Sequence, residues 1–520
     1  MIHNKVFFGE EMSAELKKGI DVVYKAVSET LGASGKNVMY RSDYSRNPVT
    51  TNDGVTIARR INLEDEVQSM GADAIKQPAE RTNDEAGDGT TTAIVLAHAM
   101  IEKGLEKIKG GANPMRLKKE IDESVEKVIK KIKTLSTPIK TDEELFNVVN
   151  VSMENEEIAH TVVAAVKKAG ENGTVLVEES NGVIIEKEET EGLSFDKGFI
   201  TPLMITDIEK MEAVLEDVPV LVVDKSFSIN KDLFGLIEAL NAKGTKKLFI
   251  VCENIQGEIL ATLIQNHVRG IFQTVAVQKP YDIEVLKDIS IVTGSELLNS
   301  ENLTTELMAY HVKSLGFAKK IIVTKDKTII VGEGQKDKIA TRVSFIKNEI
   351  KDSDGEYKKE QLKERLAKLV GGLVILKVGA PTEQEMKYLK LKVDDAVSAA
   401  RAAVEEGIVA GGGRVLYDIS LAKPKTIGEE VVFYACGQPI RKIIENSGEK
   451  PEEILAQLKE GEVWDALESK ICPNPLVSGI IDPAKVERCA LKNAASMAGI
   501  FVTQGAVIVD LPEKHSRGTM

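Results

Sequence analysis

The hydrophobic pattern changes period twice along these 520 residues, and that change limits the possible folds more than any single motif. Leu16, Ile20, Val23, Val27 and Leu31 recur at helical spacing before Gly32. Ile94, Leu96, Ile101, Leu105 and Ile108 do the same before Gly110-Gly111. Asn113-Pro114 predicts a capped helix start, with the helix ending near Thr137-Pro138, and a polar helix follows from about Glu154 to Lys168. From Thr174 the chain alternates between strand and helix. Strands are expected over residues 174–178, 183–190, 220–223, 248–252 and 274–277, and helices over 230–242 and 257–269, which predicts a small α/β domain with a parallel sheet. Two charged helices, within 336–351 and 356–370, read as a hairpin with a solvated face. After Gly371-Gly372 come a strand over 373–378, a long helix from about Thr382 to Glu406, and a mostly helical remainder that ends in the strand-like 506–510. The order helical, α/β, helical describes a multidomain α and α/β protein. Periodicity does not say whether the two helical ends fold together.

Composition narrows the function. The net charge of −13 argues against nucleic acid as the main partner, because phosphate binding favours a positive field. With 13 Phe, 9 Tyr and 1 Trp, platforms for stacking bases are not expected. No uninterrupted apolar run approaches membrane-spanning length, so no membrane span is expected. The start has no secretory-signal pattern, so a cytoplasmic protein is expected. Cys252, Cys436, Cys472 and Cys489 form no Cys-x-x-Cys pair and read as scattered thiols. The six histidines make no metal-ligand spacing, and neither Gly-x-Ser-x-Gly nor a Walker A motif occurs.

The sharpest local signal is Asp88-Gly89-Thr90-Thr91-Thr92, just ahead of an apolar helical run. A helix start offers free N–H groups and the positive end of its dipole to an anion. Gly89 lets backbone approach a ligand, three threonines add hydroxyl donors, and Asp88 could hold a magnesium ion bridging phosphate oxygens. An ordinary Asp or Thr N-cap would look the same in sequence. Thr30-Leu31-Gly32, Thr51-Asn52-Asp53-Gly54 and Gly411-Gly412-Gly413 are turns that could join the site. Of the adjacent Asp394 and Asp395, which lie within a helix, at most one can face it.

Taken together, Thr30-Leu31-Gly32, Asn52-Asp53-Gly54-Val55, the block from Ala86 to Ala93 and the block from Arg401 to Gly413 resemble the GroEL-type group I chaperonins, from Phe8-Gly9 to Asp510-Leu511-Pro512. The resemblance implies a GroEL-like three-domain subunit. Residues 1–134 and 407–520 would be a helical equatorial ATP-binding domain, 135–190 and 373–406 a small α/β intermediate domain, and 191–372 an α/β apical domain for clients and a lid. It implies an ATPase using magnesium and potassium, with homo-oligomers of two stacked heptameric rings, unfolded polypeptides as clients and a GroES-type co-chaperonin. By the same resemblance Thr30, Leu31, Gly32, Asp88, Gly89, Thr90, Thr91, Thr92, Gly412, Asp465, Ala466 and Asp482 would bind nucleotide, with Asp88 also on the metal. Asp53 and Asp395 would act on the attacking water. Phe199, Leu203, Met204, Phe234, Ile237, Leu260 and Ile264 would present an apolar surface to clients.

The sequence departs from the family pattern in places. Ala33 stands where proline is usual, and Gln265 where an apolar residue is usual. The stretch between Val277 and Asp288 is about four residues short. Leu467 and Cys472-Pro473-Asn474-Pro475 alter the base-side segment, and the tail lacks Gly-Gly-Met repeats. A specialised paralogue that binds clients or acts as a scaffold with weak hydrolysis is therefore carried as the alternative. A metabolic enzyme on an α/β scaffold has no catalytic constellation to support it.

Overall fold

The computed structural model describes residues 4–510 apart from 42–47, 154, 171–173, 181, 191, 209, 229–230, 300–311, 333–335, 353–355 and 371–372. The chain divides into two compact units. One is built from residues 1–164, 177–186 and 377–520, the other from 165–176 and 187–376. The chain passes between them four times, once within helix Glu156–Ala169 and once within each of the strands Thr174–Glu179, Ile185–Thr190 and Leu373–Val378, which form a three-stranded sheet with the last of these at its centre.

In the first unit both ends of the chain fold together. The strand Asn4–Phe8 pairs antiparallel with Ala506–Asp510, with Val6 opposite Ile508. Helix Gly9–Ser28 buries Met12, Leu16, Ile20, Val23 and Val27, the face set by its helical spacing. Helix Pro114–Leu135 starts where expected, its Arg116 amide donating to Asn113 Oδ1 at 3.0 Å. The alanine-rich helix Ala484–Phe501 packs against helices Glu66–Ala86, Thr90–Lys109 and Pro114–Leu135. Its small buried residues, Ala490, Ala494, Ala495 and Ala498, let these helices approach closely. The polar helix expected from Glu154 is Glu156–Ala169, preceded by Asp142–Met153, a helix the periodicity reading did not anticipate.

The second unit holds a sheet in the order Gln273–Gln278, Lys247–Cys252, Ala213–Val223, Gly316–Val323, Thr328–Gly332, Gly192–Phe195, with Leu297–Leu298 also on Ala213–Val223. Gln273–Gln278, Lys247–Cys252, Ala213–Val223 and Leu297–Leu298 pair in parallel, as expected from strand–helix alternation. The rest of the sheet corrects that expectation, because Gly316–Val323 runs antiparallel to both neighbours and Gly192–Phe195 is antiparallel too. Only the short link from Thr324 to Lys327 joins Val323 to Thr328, with the Thr324 amide donating to Lys327 O at 2.8 Å. A link that short can only reverse the chain. Side chains alternate across the sheet. Val220 and Val222 enter the core beneath helix Ile283–Thr293, while Leu221 and Val223 meet helices Lys231–Ala242 and Glu258–Val268.

The charged helices Lys336–Asp352 and Glu356–Val370 also differ from their solvated reading. Asp288 has no solvent exposure, and it accepts from Arg342 Nε at 2.7 Å and Arg365 Nε at 2.6 Å. Arg342 Nη2 also reaches Glu284 at 2.6 Å. The hairpin is thus held by buried ion pairs as well as by Ile346, Leu362 and Leu369, which join the core beneath the sheet. Among the described residues, no helix is long and apolar enough to cross a membrane.

Candidate functional site

The Asp88 loop, Asp53, Asp395 and Asp482 all fall in the first unit, and local geometry brings them together. Gly87 and Gly89 both have positive φ, +68° and +79°, a conformation that disfavours residues with a Cβ. Gly89 is the N-cap of helix Thr90–Lys109 and supplies no side-chain cap. That excludes the ordinary Asp or Thr cap and leaves the first-turn amides free of a capping side chain. By contrast Asp53, Asp65, Asn113, Thr382 and Thr426 all cap their helices.

Asp53 accepts from the Thr56 amide at 2.9 Å and the Val55 amide at 3.3 Å, and Thr90 Oγ1 donates to it at 3.4 Å. Gly54 permits this approach, since a Cβ there would lie 2.4 Å from Thr91 Oγ1. Thr30 Oγ1 lies 3.3 Å from Thr91 Oγ1, which joins the first turn segment to the loop. The Gly89 amide donates to Asp88 Oδ1 at 2.5 Å. Burial pushes the Asp88 carboxyl upward, the Gly89 amide opposes this, and the charge of Asp53 adds to the rise.

Asp395 arrives on helix Glu383–Glu406. Gly87 again provides the room, because a Cβ there would sit 2.4 Å from both Cβ and Oγ of Ser398, one turn along that helix. Burial first, then the charges of Asp53 and Asp88, hold the Asp395 carboxyl well above the usual range. Asp482 comes from strand pairing: Ile481–Pro483 lies antiparallel to Ile408–Ala410, with Val409 opposite Asp482. This register brings Gly412 and Gly413 to Asp482, and their amides donate to its carboxylate. Burial and Asp88 outweigh them and push Asp482 up to about 6.

The other side of the site is apolar. Leu31, Ile440, Ile443, Trp464 and Ala466 share one cluster. Ser34 Oγ donates to Ala466 O at 2.6 Å and ties the 30–34 turn to the 465–466 turn, while Asn446 Nδ2, at the end of helix Gln438–Asn446, donates to Ser28 O and Leu31 O. Asp465 itself accepts from the amides of Leu467 and Glu468 at 3.1 Å each, within the turn joining Val463–Asp465 to Lys470–Cys472. The departure at Cys472–Pro475 leads into a four-residue helix, Pro475–Ser478.

Sequence reasoning missed Glu487. It lies in the first turn of Ala484–Phe501, 4% exposed, where its carboxyl and that of Asp482 act on each other. Burial, then Asp482, drive its carboxyl well above the ordinary value. No spacing rule marks it, because it meets Asp482 only through the turn into the helix.

Five carboxyl groups crowded beside an uncapped helix start favour a bound cation and its anionic partner. Among the described residues no three His, Cys, Asp or Glu side chains close into a metal site by themselves. That donor set fits magnesium, which commonly takes one or two carboxylates and completes its shell with water and phosphate oxygens.

The proposed client residues lie in the second unit. Leu203 is 58% exposed, and Phe199, Phe234, Leu260 and Ile264 are half-buried. The expectation of exposure fails for Met204 and Ile237. Met204 is completely buried and Ile237 nearly so, because both fill the core between the sheet and its two helices.

Residues 23–512 match the family described as the TCP-1/cpn60 chaperonin family. Two crystal forms of the chaperonin gp146 from the bacteriophage EL 2 (Pseudomonas aeruginosa), both obtained in the presence of ATP-BeFx, share this architecture. Their TM-scores are 0.66 and 0.59, each at 21% identity over 97% of this chain and 99% of that one.

Proposed function

Since the chain belongs to the TCP-1/cpn60 chaperonin family, we propose that it is an ATP-driven chaperonin that captures non-native polypeptides and folds them in a ring cavity under a GroES-type lid. The observation that carries the nucleotide half of this reading is the convergence of Asp53, Asp88 and Asp395 on a helix start with no side-chain cap. The crystallisation of the phage chaperonin with ATP-BeFx supports the same reading.

In this reading the amides and hydroxyls of Gly89, Thr90, Thr91 and Thr92 receive the phosphates, together with Thr30. Asp88 would hold magnesium, whose chemistry there would be to neutralise developing phosphate charge, and potassium would be a second cation. Leu31, Gly32, Gly412, Asp465, Ala466 and Asp482 line the base and sugar. Asp53 and Asp395 orient the attacking water, and one of them takes its proton as charge moves to the leaving phosphate. A carboxyl held well above the usual range suits that role, because a base works best with an affinity for protons near the working pH. Asp395 sits on the helix of the proposed intermediate domain, so movement of that helix would couple hydrolysis to client handling. Homo-oligomeric double rings of seven subunits, a three-domain subunit and a cytoplasmic location complete the proposal. Clients would meet Leu203, Phe199, Phe234, Leu260 and Ile264, with Met204 and Ile237 supporting them from below.

The test is steady-state ATP turnover, with magnesium and potassium present, of the parent beside Asp395→Ala. Turnover in the parent, lost in the variant while nucleotide still binds, is expected. A well-assembled parent without turnover would refute the ATPase reading and favour the scaffold paralogue. One observation favours that alternative: the Asp465 carboxylate is engaged by its own turn.

A further inference from the structure

We infer that Asn446 is a positioning residue for the nucleobase, and that together with Ser447 it sets the spacing between the 30–34 turn and the 465–466 turn. The inference rests on the nucleotide reading above, in which these two turns line the base.

Neither turn is stiff by itself. Residues 30–36 contain two glycines and no proline, and the last carbonyls of a helix such as Gly9–Ser28 find no partner within it. Helix Gln438–Asn446 supplies what the first turn lacks. Its Lys442, Ile443 and Asn446 are spaced to share one face. Asn446 Nδ2 donates to Ser28 O at 3.0 Å and to Leu31 O at 2.9 Å, one N–H to each. Lys442 Nζ meets Glu29 Oε1 at 2.8 Å, and Ile443 fits against Gly32, where a Cβ would lie 3.0 Å from Ile443 Cγ1. Ser447, the next residue, holds the second turn. Trp464 Nε1 donates to Ser447 Oγ at 3.3 Å. An indole N–H can only donate, so the hydroxyl keeps its own proton for Ile444 O at 2.7 Å. A Cβ on Gly412 would lie 3.8 Å from Trp464 O, so the same strand borders the glycine proposed for the sugar.

Adjacent residues at one helix end thus hold both turns, and Ser34 Oγ ties the turns directly to each other through Ala466 O at 2.6 Å. Ties at separate points stop the turns from sliding past one another. Ile440, Ile443 and Ile444 of the same helix share an apolar cluster with Leu31, Trp464 and Ala466. An apolar slot holds a flat base by close contact, and widening it by about 1 Å forfeits roughly half of that attraction. Spacing therefore matters for the base. It matters much less for the phosphates, whose proposed donors from Gly89 to Thr92 belong to the start of another helix.

The experiment measures binding of ATP and of inorganic triphosphate, with magnesium present, to the full chain, to Asn446→Leu and to Ser447→Ala, with ATP turnover alongside. The parent is expected to bind ATP about 100-fold more tightly than triphosphate. Leucine fills the space of asparagine without an N–H donor and leaves two carbonyls unpaired. Asn446→Leu is expected to weaken ATP binding about tenfold and to leave triphosphate binding unchanged. KM for ATP should rise by the same factor while kcat changes less than about threefold, because no proposed reacting group moves. Ser447→Ala loses one bond and should weaken ATP about threefold, again without affecting triphosphate. An Asn446→Leu protein with the parental preference for ATP overturns the inference. So does one that loses ATP and triphosphate alike, which would mark a general loosening of the unit. If Asn446→Leu does not fold, Ser447→Ala decides by the same ratio: a reduced preference supports the inference and a parental one overturns it. A parent that binds triphosphate as tightly as ATP overturns this inference and leaves the phosphate side of the nucleotide reading standing. A parent that binds neither refutes both.

Discussion

Gly87→Ala is the most direct perturbation of how this site is assembled. The added Cβ would lie 2.4 Å from Cβ and Oγ of Ser398, against the 3.4 Å at which ordinary contact begins. Relieving that overlap moves helix Glu383–Glu406 away from the loop by about 1 Å, and a misplacement of that size at a reacting group costs about 100-fold in rate. Because Gly87 has φ +68°, alanine also carries a left-handed backbone cost of about 1–2 kcal/mol. If the proposed ATPase reading holds, the expected result is a kcat for ATP hydrolysis about 100-fold below the parent, with nucleotide affinity changed much less, since Asp395 rather than the Asp88–Thr92 loop is displaced. The overlap is steric and has a specific partner, so it can be undone. Ser398→Gly removes both clashing atoms, leaving the nearest remaining contact, Ser398 Cα, at 3.7 Å. The double variant should recover at least tenfold in kcat over Gly87→Ala alone, read as a double-mutant cycle with Ser398→Gly as the fourth corner. A Gly87→Ala protein within threefold of the parent would show that the helix does not depend on this gap. A large loss that Ser398→Gly leaves untouched would show that the backbone, not the contact, was responsible.

Two further outcomes concern the second unit. Asp288→Asn leaves the Arg342 and Arg365 guanidinium groups facing a buried amide. Losing one partner of such a cluster costs about 3 kcal/mol, the low end because Glu284 still faces Arg342. Amide hydrogen exchange in helices Lys336–Asp352 and Glu356–Val370 should speed up about 100-fold, and unchanged protection would refute the clamp. Partial burial raises the Glu284 carboxyl, but the hydrogen bonds from Lys287 and Arg342 outweigh it and hold it down to about 2 from 4.5. The unfolded chain thus binds more protons between those values, so the contribution of Glu284 is complete above pH 4.5 and is lost as pH falls toward 2. Cleavage of the hairpin by pepsin should therefore rise across that window in the parent and be flatter in Glu284→Gln. Identical profiles would show that Glu284 contributes nothing.

The sequence by itself determined the helical faces at both ends, the strand–helix alternation of the middle, and the Asp88–Thr92 loop just ahead of a helix start. These are local properties: a period of 3.6 or 2 residues fixes which side of an element is apolar, and a glycine before a helix start lets the chain enter the helix without a capping side chain. Family resemblance then assembled the distant pieces. Tertiary structure decided what periodicity leaves open, namely which face meets which. Met204 and Ile237 are apolar on any reading, and only packing shows that both lie under the surface rather than on it. Arg342 and Arg365 look like ordinary solvated charges until Asp288 is placed between them. Gly54 and Gly87 are unremarkable turn glycines in sequence, yet the missing Cβ at each makes room for a threonine hydroxyl or a serine from a distant segment. Glu487 reaches Asp482 through a turn that no spacing rule describes. A site of this kind is made by strand register and by close approach between segments far apart in the chain. Neither leaves a local mark, because each depends on atoms that only the folded chain brings within reach.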